Sequence, residues 1–167
     1  MRLALRKARA GAISGEPFGA CVVLDEKVIA CERSGTARLI DVTSHAEVVA
    51  IREASQRLGT RFLDRSVVYS SCEPCPMCFY ACEMARVSRV VFSATLGDLR
   101  SAGFSKSAYV RAETMKRLSG SEIRLVPGVL RDEGKAIFKL WAQRAERRRP
   151  AESQPLSGQE PDSGGPS

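Results

Sequence analysis

Two short, uninterrupted apolar runs, 66–70 (SVVYS) and 88–93 (SRVVFS), stand about twenty residues apart with a helix-compatible stretch between them. Continuous Val-rich runs of this length belong to strands covered on both faces, and such strands joined through a helix are parallel. Earlier in the chain, 20–24 and 27–32 are apolar runs on either side of Asp25-Glu26, the pattern of a β-hairpin. A short strand at 122–126 completes the set. Between these lie four stretches with helical character: 2–13, 45–58 closed by Gly59, 75–85 with Pro76 in its first turn, and 107–118. A long final helix runs from 130 to 149, and the segment holding Gly97 and Gly103 reads as a loop. Hairpin first, then strands alternating with helices, predicts an α/β chain. It is a three-layer α/β/α sandwich on a mixed sheet of about five strands with an antiparallel first hairpin.

Composition sets the limits of this unit. Residues 151–167 hold ten Pro, Gly or Ser and carry Glu152, Glu160 and Asp162 against no basic residue, so the formal +7 of the chain becomes +10 for what precedes them. Such a stretch cannot bury enough apolar surface to offset its ordering entropy. The expectation is one domain over 1–149 followed by a disordered acidic tail, 150–167. No run of about 18 apolar residues occurs, which predicts no membrane-spanning helix. No charged start followed by an apolar stretch and a cleavage site is present either, so a cytoplasmic setting is expected. Six cysteines are few for a disulfide scaffold at this length, and reduced thiols or metal ligands are the expectation for them.

The chemistry is concentrated in Ser44-His45-Ala46-Glu47 and Glu73-Pro74-Cys75-Pro76-Met77-Cys78. Cys75 and Cys78, three apart at a helix start, share a face, and the positive end of the helix favours thiolates. A redox pair or simple packing would use the same spacing. His45 is the only histidine of the chain. With two thiolates it makes three zinc ligands and leaves a fourth position open, the pattern of a catalytic site. Cys72 and Cys82 are the alternative thiolates and are assigned to packing. Glu47 is the acid–base candidate, although Ser44-x-x-Glu47 also matches a capping box. Residues two apart on an ideal helix point about 200° apart, so a shared site requires His45 to lie outside the regular helix. An H-x-E segment followed by P-C-x-x-C, with the Glu not a ligand, is the arrangement of zinc deaminases.

On these segments, and on Pro17-Phe18-Gly19-Ala20 and Ala102-Gly103-Phe104, the chain resembles the cytidine-deaminase-like superfamily of zinc-dependent deaminases over roughly 1–142. Ser71-Cys72-Glu73 before the Pro-Cys is closest to the guanine deaminase branch. The tRNA adenosine deaminase branch shares the core motifs with a different lead-in. The resemblance implies hydrolytic deamination of a purine-like nucleobase or nucleoside, with one Zn2+ per chain. It also implies a homodimer, in some guanine deaminases with an exchanged C-terminal segment. Candidate substrate contacts are Phe18, which would stack on a base or else belong to the core, and Ser34, standing where relatives place an asparagine that this chain lacks. Ala46, Lys106 and Glu133 complete the set. Lys106 follows Gly103-Phe104, where guanine deaminases carry an acid, and surface exposure is its plainer reading. Glu133 is a candidate second proton shuttle or a solvated acid. Met84 replaces a bulky aromatic. Two alternatives stay open. One is tRNA-directed deamination, suggested by the positive charge and by Arg144, Arg147, Arg148 and Arg149 but opposed by only 6% aromatics. The other is a deaminase of cytosine or another amino-heterocycle. A non-enzymatic rival is a zinc-bearing structural or accessory subunit, which would need the ligands but not the carboxylate, so Glu47 argues against it.

Overall fold

The computed structural model describes residues 1–104 and 110–148. Five strands, β1 (Gly19–Leu24), β2 (Lys27–Arg33), β3 (Val67–Cys72), β4 (Arg89–Ala94) and β5 (Arg124–Val126), form one sheet in the order β2-β1-β3-β4-β5. β1 runs antiparallel to both β2 and β3, while β3, β4 and β5 are parallel. The hairpin turns at Asp25 and Glu26, both at positive φ, the backbone state that a two-residue turn between right-twisted strands requires.

Among the described residues seven helices accompany the sheet: α1 (Arg2–Ser14), α2 (Thr36–Leu39), α3 (Ala46–Leu58), α4 (Pro76–Met84), α5 (Leu96–Ser101), α6 (Ala112–Ser119) and α7 (Arg131–Arg148). On one face Ala46, Ala50 and Ala54 of α3 and Cys82 of α4 pack with Val22, Val68 and Val90. On the other, Leu5, Ala8 and Ala12 of α1 meet Ile137 of α7, and Phe138 packs with Cys72, Ala94, Leu96 and Leu99. Small residues let these layers approach closely. A Cβ on Gly19 would lie 2.3 Å from Ala4 O, and one on Gly134 would lie 2.5 Å from Ser93 Oγ. This is the three-layer mixed sheet that the sequence pattern predicts.

Three local readings are corrected. Residues 36–39 and 96–101, expected as polar stretch and loop, are the short helices α2 and α5. α5 forms despite Gly97 because Thr95 and Asp98 build a capping box, with Thr95 Oγ1 accepting from Asp98 N and the Asp98 carboxylate accepting from Thr95 N. The helix expected from 107 begins at Ala112. The expectation of reduced thiols also fails for one pair. The hairpin register sets Cys21 directly opposite Cys31, and the two are joined as a disulfide.

Among the described residues no helix is long and apolar enough to cross a membrane. The tail expected over 150–167 lies outside the described residues.

Asp98 also binds Arg131 through both carboxylate oxygens, at 2.9 and 3.0 Å, which ties α5 to the start of α7. Its carboxyl is held down at about 2, first by the Arg131 hydrogen bond and then by Thr95. A depressed carboxyl stabilises the fold above its unfolded pKa and stops doing so as pH falls through the folded one. Asp98→Asn is expected to cost about 1 kcal/mol at pH 7, a shift of a few degrees in Tm, shrinking towards zero between pH 4 and about 2. Thermal unfolding of both proteins across that range tests this. A deficit that grows as pH falls contradicts the assignment.

Candidate active site

Chain topology gathers the site at one end of the sheet. β3 ends at Cys72, beside the start of the antiparallel β1, where Gly19 N donates to Ser71 Oγ at 3.0 Å. Phe18 and Ser34 follow, joined by the Ser34 N to Phe18 O hydrogen bond of 3.1 Å. The carboxyl ends of parallel strands and the helices that begin there are where open α/β sheets place their ligands.

The two motif segments enter their helices in the same way. His45 is the N-cap of α3 in an extended conformation (φ −64°, ψ 155°), and Cys75 is the N-cap of α4 (φ −68°, ψ 168°) with Pro76 in the first turn. His45 therefore escapes the helical periodicity that would turn it away from Glu47. Nor is Glu47 spent on a capping box: Ser44 precedes the cap, and its hydroxyl donates to Asp41 Oδ2 at 2.6 Å. The same Asp41 accepts from the Thr43 hydroxyl and backbone amide, and these three bonds hold its carboxyl down at about 2.

His45 Nδ1 lies 3.6 Å from Cys75 Sγ and 3.5 Å from Cys78 Sγ, and the two sulfurs are 3.6 Å apart. Tetrahedral zinc at ordinary bond lengths separates two sulfurs by about 3.8 Å and a sulfur from a nitrogen by about 3.6 Å. The three donors would fit three corners of a zinc tetrahedron, and all three residues line the cavity. The Cys75 thiol is held down at about 4 by its hydrogen bond with Cys78, the His45 ring adding to the effect, while the hydrogen bond with Cys75 and burial push the Cys78 thiol up. Two thiols and a ring nitrogen within 4.8 Å of one another are arranged to receive a cation. Cys72 and Cys82 do not belong to the group: each is buried with its thiol pushed up by burial, and both pack in the core.

Glu47 is only 6% exposed. Its Oε1 accepts from the Ser70 hydroxyl at 2.8 Å, and its Oε2 lies 3.4 Å from Cys78 Sγ. Burial, and next the negative charge at Cys75, raise its carboxyl above the ordinary range. A carboxylate that binds protons more firmly than usual, fixed at one oxygen and held beside the zinc ligands at the other, is built to carry a proton.

A cavity of about 330 Å³ opens over these residues, at the small end of ordinary ligand sites. Phe18, Leu96, Leu99 and Phe104 give it apolar walls, and Ser34, Thr36, Glu16 and Glu73 are its polar residues beyond the metal group. Phe18 meets Phe104 edge-on, with centroids 5.5 Å apart. Phe18 and Ser34 thus both line the cavity. Two others do not. The Ala46 side chain is packed in the core beneath α3 rather than in the cavity wall, because the first helical turn faces the sheet. Glu133 lies in the first turn of α7, in a groove with Arg2, Leu5 and Arg6 of α1, away from the cavity. Met84 is exposed at the end of α4, and Lys106 lies outside the described residues.

The sequence reading missed Ser70, the partner of Glu47, and the role of Glu73. Glu73 is buried; its Oε2 accepts from Leu96 N at 3.1 Å, and its Oε1 accepts from Ala112 N at 3.0 Å and from Arg111 Nε at 3.4 Å. It thereby pins the starts of α5 and α6 around the cavity. A carboxylate between a buried strand and a Pro-Cys pair was the only available signal.

Residues 1–94 match the cytidine and deoxycytidylate deaminase zinc-binding region. The chain is 38% identical over 136 residues to guanine deaminase of Bacillus subtilis, covering 80% of this chain and 85% of that one. It is 40% identical over 95 residues to the tRNA-specific adenosine deaminase of Aquifex aeolicus, covering 56% of this chain and 63% of the other. The solved guanine deaminase of Nitrosomonas europaea superposes with a TM-score of 0.74 at 26% identity, over 84% of this chain and 81% of that one. A His-Cys-Cys group with zinc spacing, a buried carboxylate beside it and these similarities lead to one conclusion: the chain belongs to the cytidine and deoxycytidylate deaminase family and is a zinc-dependent hydrolytic deaminase.

Proposed function

We propose that the protein deaminates a purine-like nucleobase or nucleoside of the guanine type, releasing ammonia. The observation that carries this reading is Glu47, a buried carboxylate anchored by Ser70 and set against the zinc ligands in a cavity sized for one heterocycle. His45, Cys75 and Cys78 hold the metal, and zinc, when bound, supplies a Lewis acid that makes water nucleophilic near neutral pH. Glu47 Oε2 takes the proton of the attacking water and delivers it to the ring nitrogen next to the amine-bearing carbon, which becomes electrophilic. After addition, Glu47 takes the proton of the added hydroxyl and passes it to the departing amine, so that ammonia leaves and a carbonyl remains. The Ser70 hydroxyl holds Oε1 throughout, so only Oε2 turns over protons. Phe18 supplies a ring for the base to pack against, and Ser34 a hydroxyl.

A second reading, tRNA-directed adenosine deamination, draws on the tRNA deaminase relatives and on the basic domain. The guanine-type reading is preferred because the similarity to guanine deaminase extends over 136 residues, against 95 for the tRNA enzyme. We extend the proposal to a homodimer, since Tyr80 and Met84, one turn apart on α4, expose apolar side chains. Within the single chain α7 packs on α1, and the Trp141 indole donates to Gly15 O at 2.9 Å.

Ammonia release from guanine, adenine, cytosine, their nucleosides and bulk tRNA tests the choice. Guanine or a close aminopurine is expected to be the fastest. Release from tRNA alone overturns the preference.

A further inference from the structure

The cavity holds three carboxylates, and two of them are committed. Glu47 carries the proton and is bound to Ser70. Glu73 has both oxygens taken by Leu96, Ala112 and Arg111. The third, Glu16, is different. It lies in the connection between α1 and β1 and lines the same cavity as His45 and Glu47. Its Oε1 accepts from the Thr36 hydroxyl and from Ala37 N, the latter at 3.1 Å. Among the described residues its Oε2 meets no donor.

The backbone holding Glu16 is fixed on both sides. Glu16 N donates to Gly11 O at 2.9 Å, Phe18 N donates to Glu16 O at 2.8 Å, and the preceding carbonyl, Gly15 O, accepts from the Trp141 indole. A Cβ on Gly11 would lie 2.1 Å from Glu16 O, so α1 and this connection are pressed together. One carboxylate oxygen is thus spent on anchoring, and Glu16 lines the cavity with a second oxygen that no described donor meets.

We propose that Glu16 determines substrate specificity by accepting a ring N–H of the heterocycle. This rests on the deaminase reading above. The carbon that loses ammonia must lie at Glu47 and the zinc ligands. Glu16 reaches the same cavity from the α1–β1 connection, with its Oε1 bound to Thr36 and Ala37, and is assigned to the remaining edge of the base. A carboxylate accepts and does not donate, so it rewards a ring N–H and penalises a ring nitrogen that carries a methyl or a sugar. A site built to satisfy a polar group rejects analogues that lack it, because its own group is then left unpaired. The substrate class is accordingly a free amino-heterocycle with an unsubstituted ring N–H, in preference to its nucleoside.

The test uses the zinc-loaded full chain, with guanine and 9-methylguanine as probes, or the fastest base of the panel above and its N-methylated form. Glu16→Gln keeps an oxygen for Thr36 and Ala37 and replaces the free acceptor with an amide. It is expected to raise KM for guanine at least about tenfold with kcat within about threefold, the pattern of lost ground-state binding. The weaker reaction of 9-methylguanine should not change. Parental KM in both Glu16→Gln and Glu16→Ala overturns the assignment, as does an equal loss with both probes, which would mark a structural role. If the parent protein releases ammonia from no base at all, the deaminase reading fails and this assignment fails with it. A parent active on free bases with unaffected Glu16 variants removes Glu16 alone.

Discussion

Glu47→Gln is expected to retain about one zinc per chain and to lose about 10²–10⁴-fold in kcat. The amide oxygen can still accept from Ser70, so the side chain keeps its place, but it can no longer take a proton from water or return one to the amine. The same variant should be no less stable than the parent. Glu47 is almost fully buried with its carboxyl raised by that burial, and a neutral amide removes the cost of an ionised group in a low-dielectric site. Metal analysis, steady-state rates and thermal unfolding on one preparation separate these effects. Turnover at the parental rate would remove Glu47 from the mechanism. Lost zinc together with lost turnover would make it a ligand instead of a proton carrier.

Cys75→Ala is expected to have the second large effect, with zinc falling from about one per chain towards zero and activity falling with it by more than about 100-fold. Three donors at tetrahedral spacing leave no redundancy, and the remaining cysteines cannot substitute. Cys72 and Cys82 are buried with thiols pushed up by burial, so neither offers a thiolate, and Cys21 and Cys31 are consumed in the hairpin disulfide. Cys82→Ala is the matched control: it opens a small core defect beneath α4 and should lower Tm while leaving zinc at the parental level. Retention of zinc by Cys75→Ala, or its loss from Cys82→Ala, would mean that the ligand set is wrongly drawn.

Much of the fold is legible in the residues because its signals are local. The uninterrupted apolar runs become β3 and β4, and Asp25-Glu26 becomes the hairpin turn. Where the reading failed, a weak local preference competed with a specific bond. Gly97 suggests a loop, but the Thr95–Asp98 capping box and the Asp98–Arg131 pair hold α5 in place. The disulfide was missed for a related reason. Ten residues separate Cys21 from Cys31, and only the hairpin register makes them neighbours.

The site divides along the same line. The sequence by itself singled out His45, Cys75 and Cys78 as candidate zinc ligands and Glu47 as the candidate acid–base residue, because they occur at spacings that few other chemistries use, in a chain with one histidine. Only the tertiary structure decided which polar groups share the cavity with them. It frees Glu47 from capping by handing Ser44 to Asp41, supplies Ser70 from β3 as its partner, and takes Glu133 away to the α1–α7 groove. It also brings Glu16 and Thr36, twenty residues apart, to one wall with a carboxylate oxygen to spare. The physical reason is range. Ligand spacing along one helix turn is set by covalent geometry, whereas second partners are set by strand register and layer packing, which bring together residues that the linear chain keeps apart.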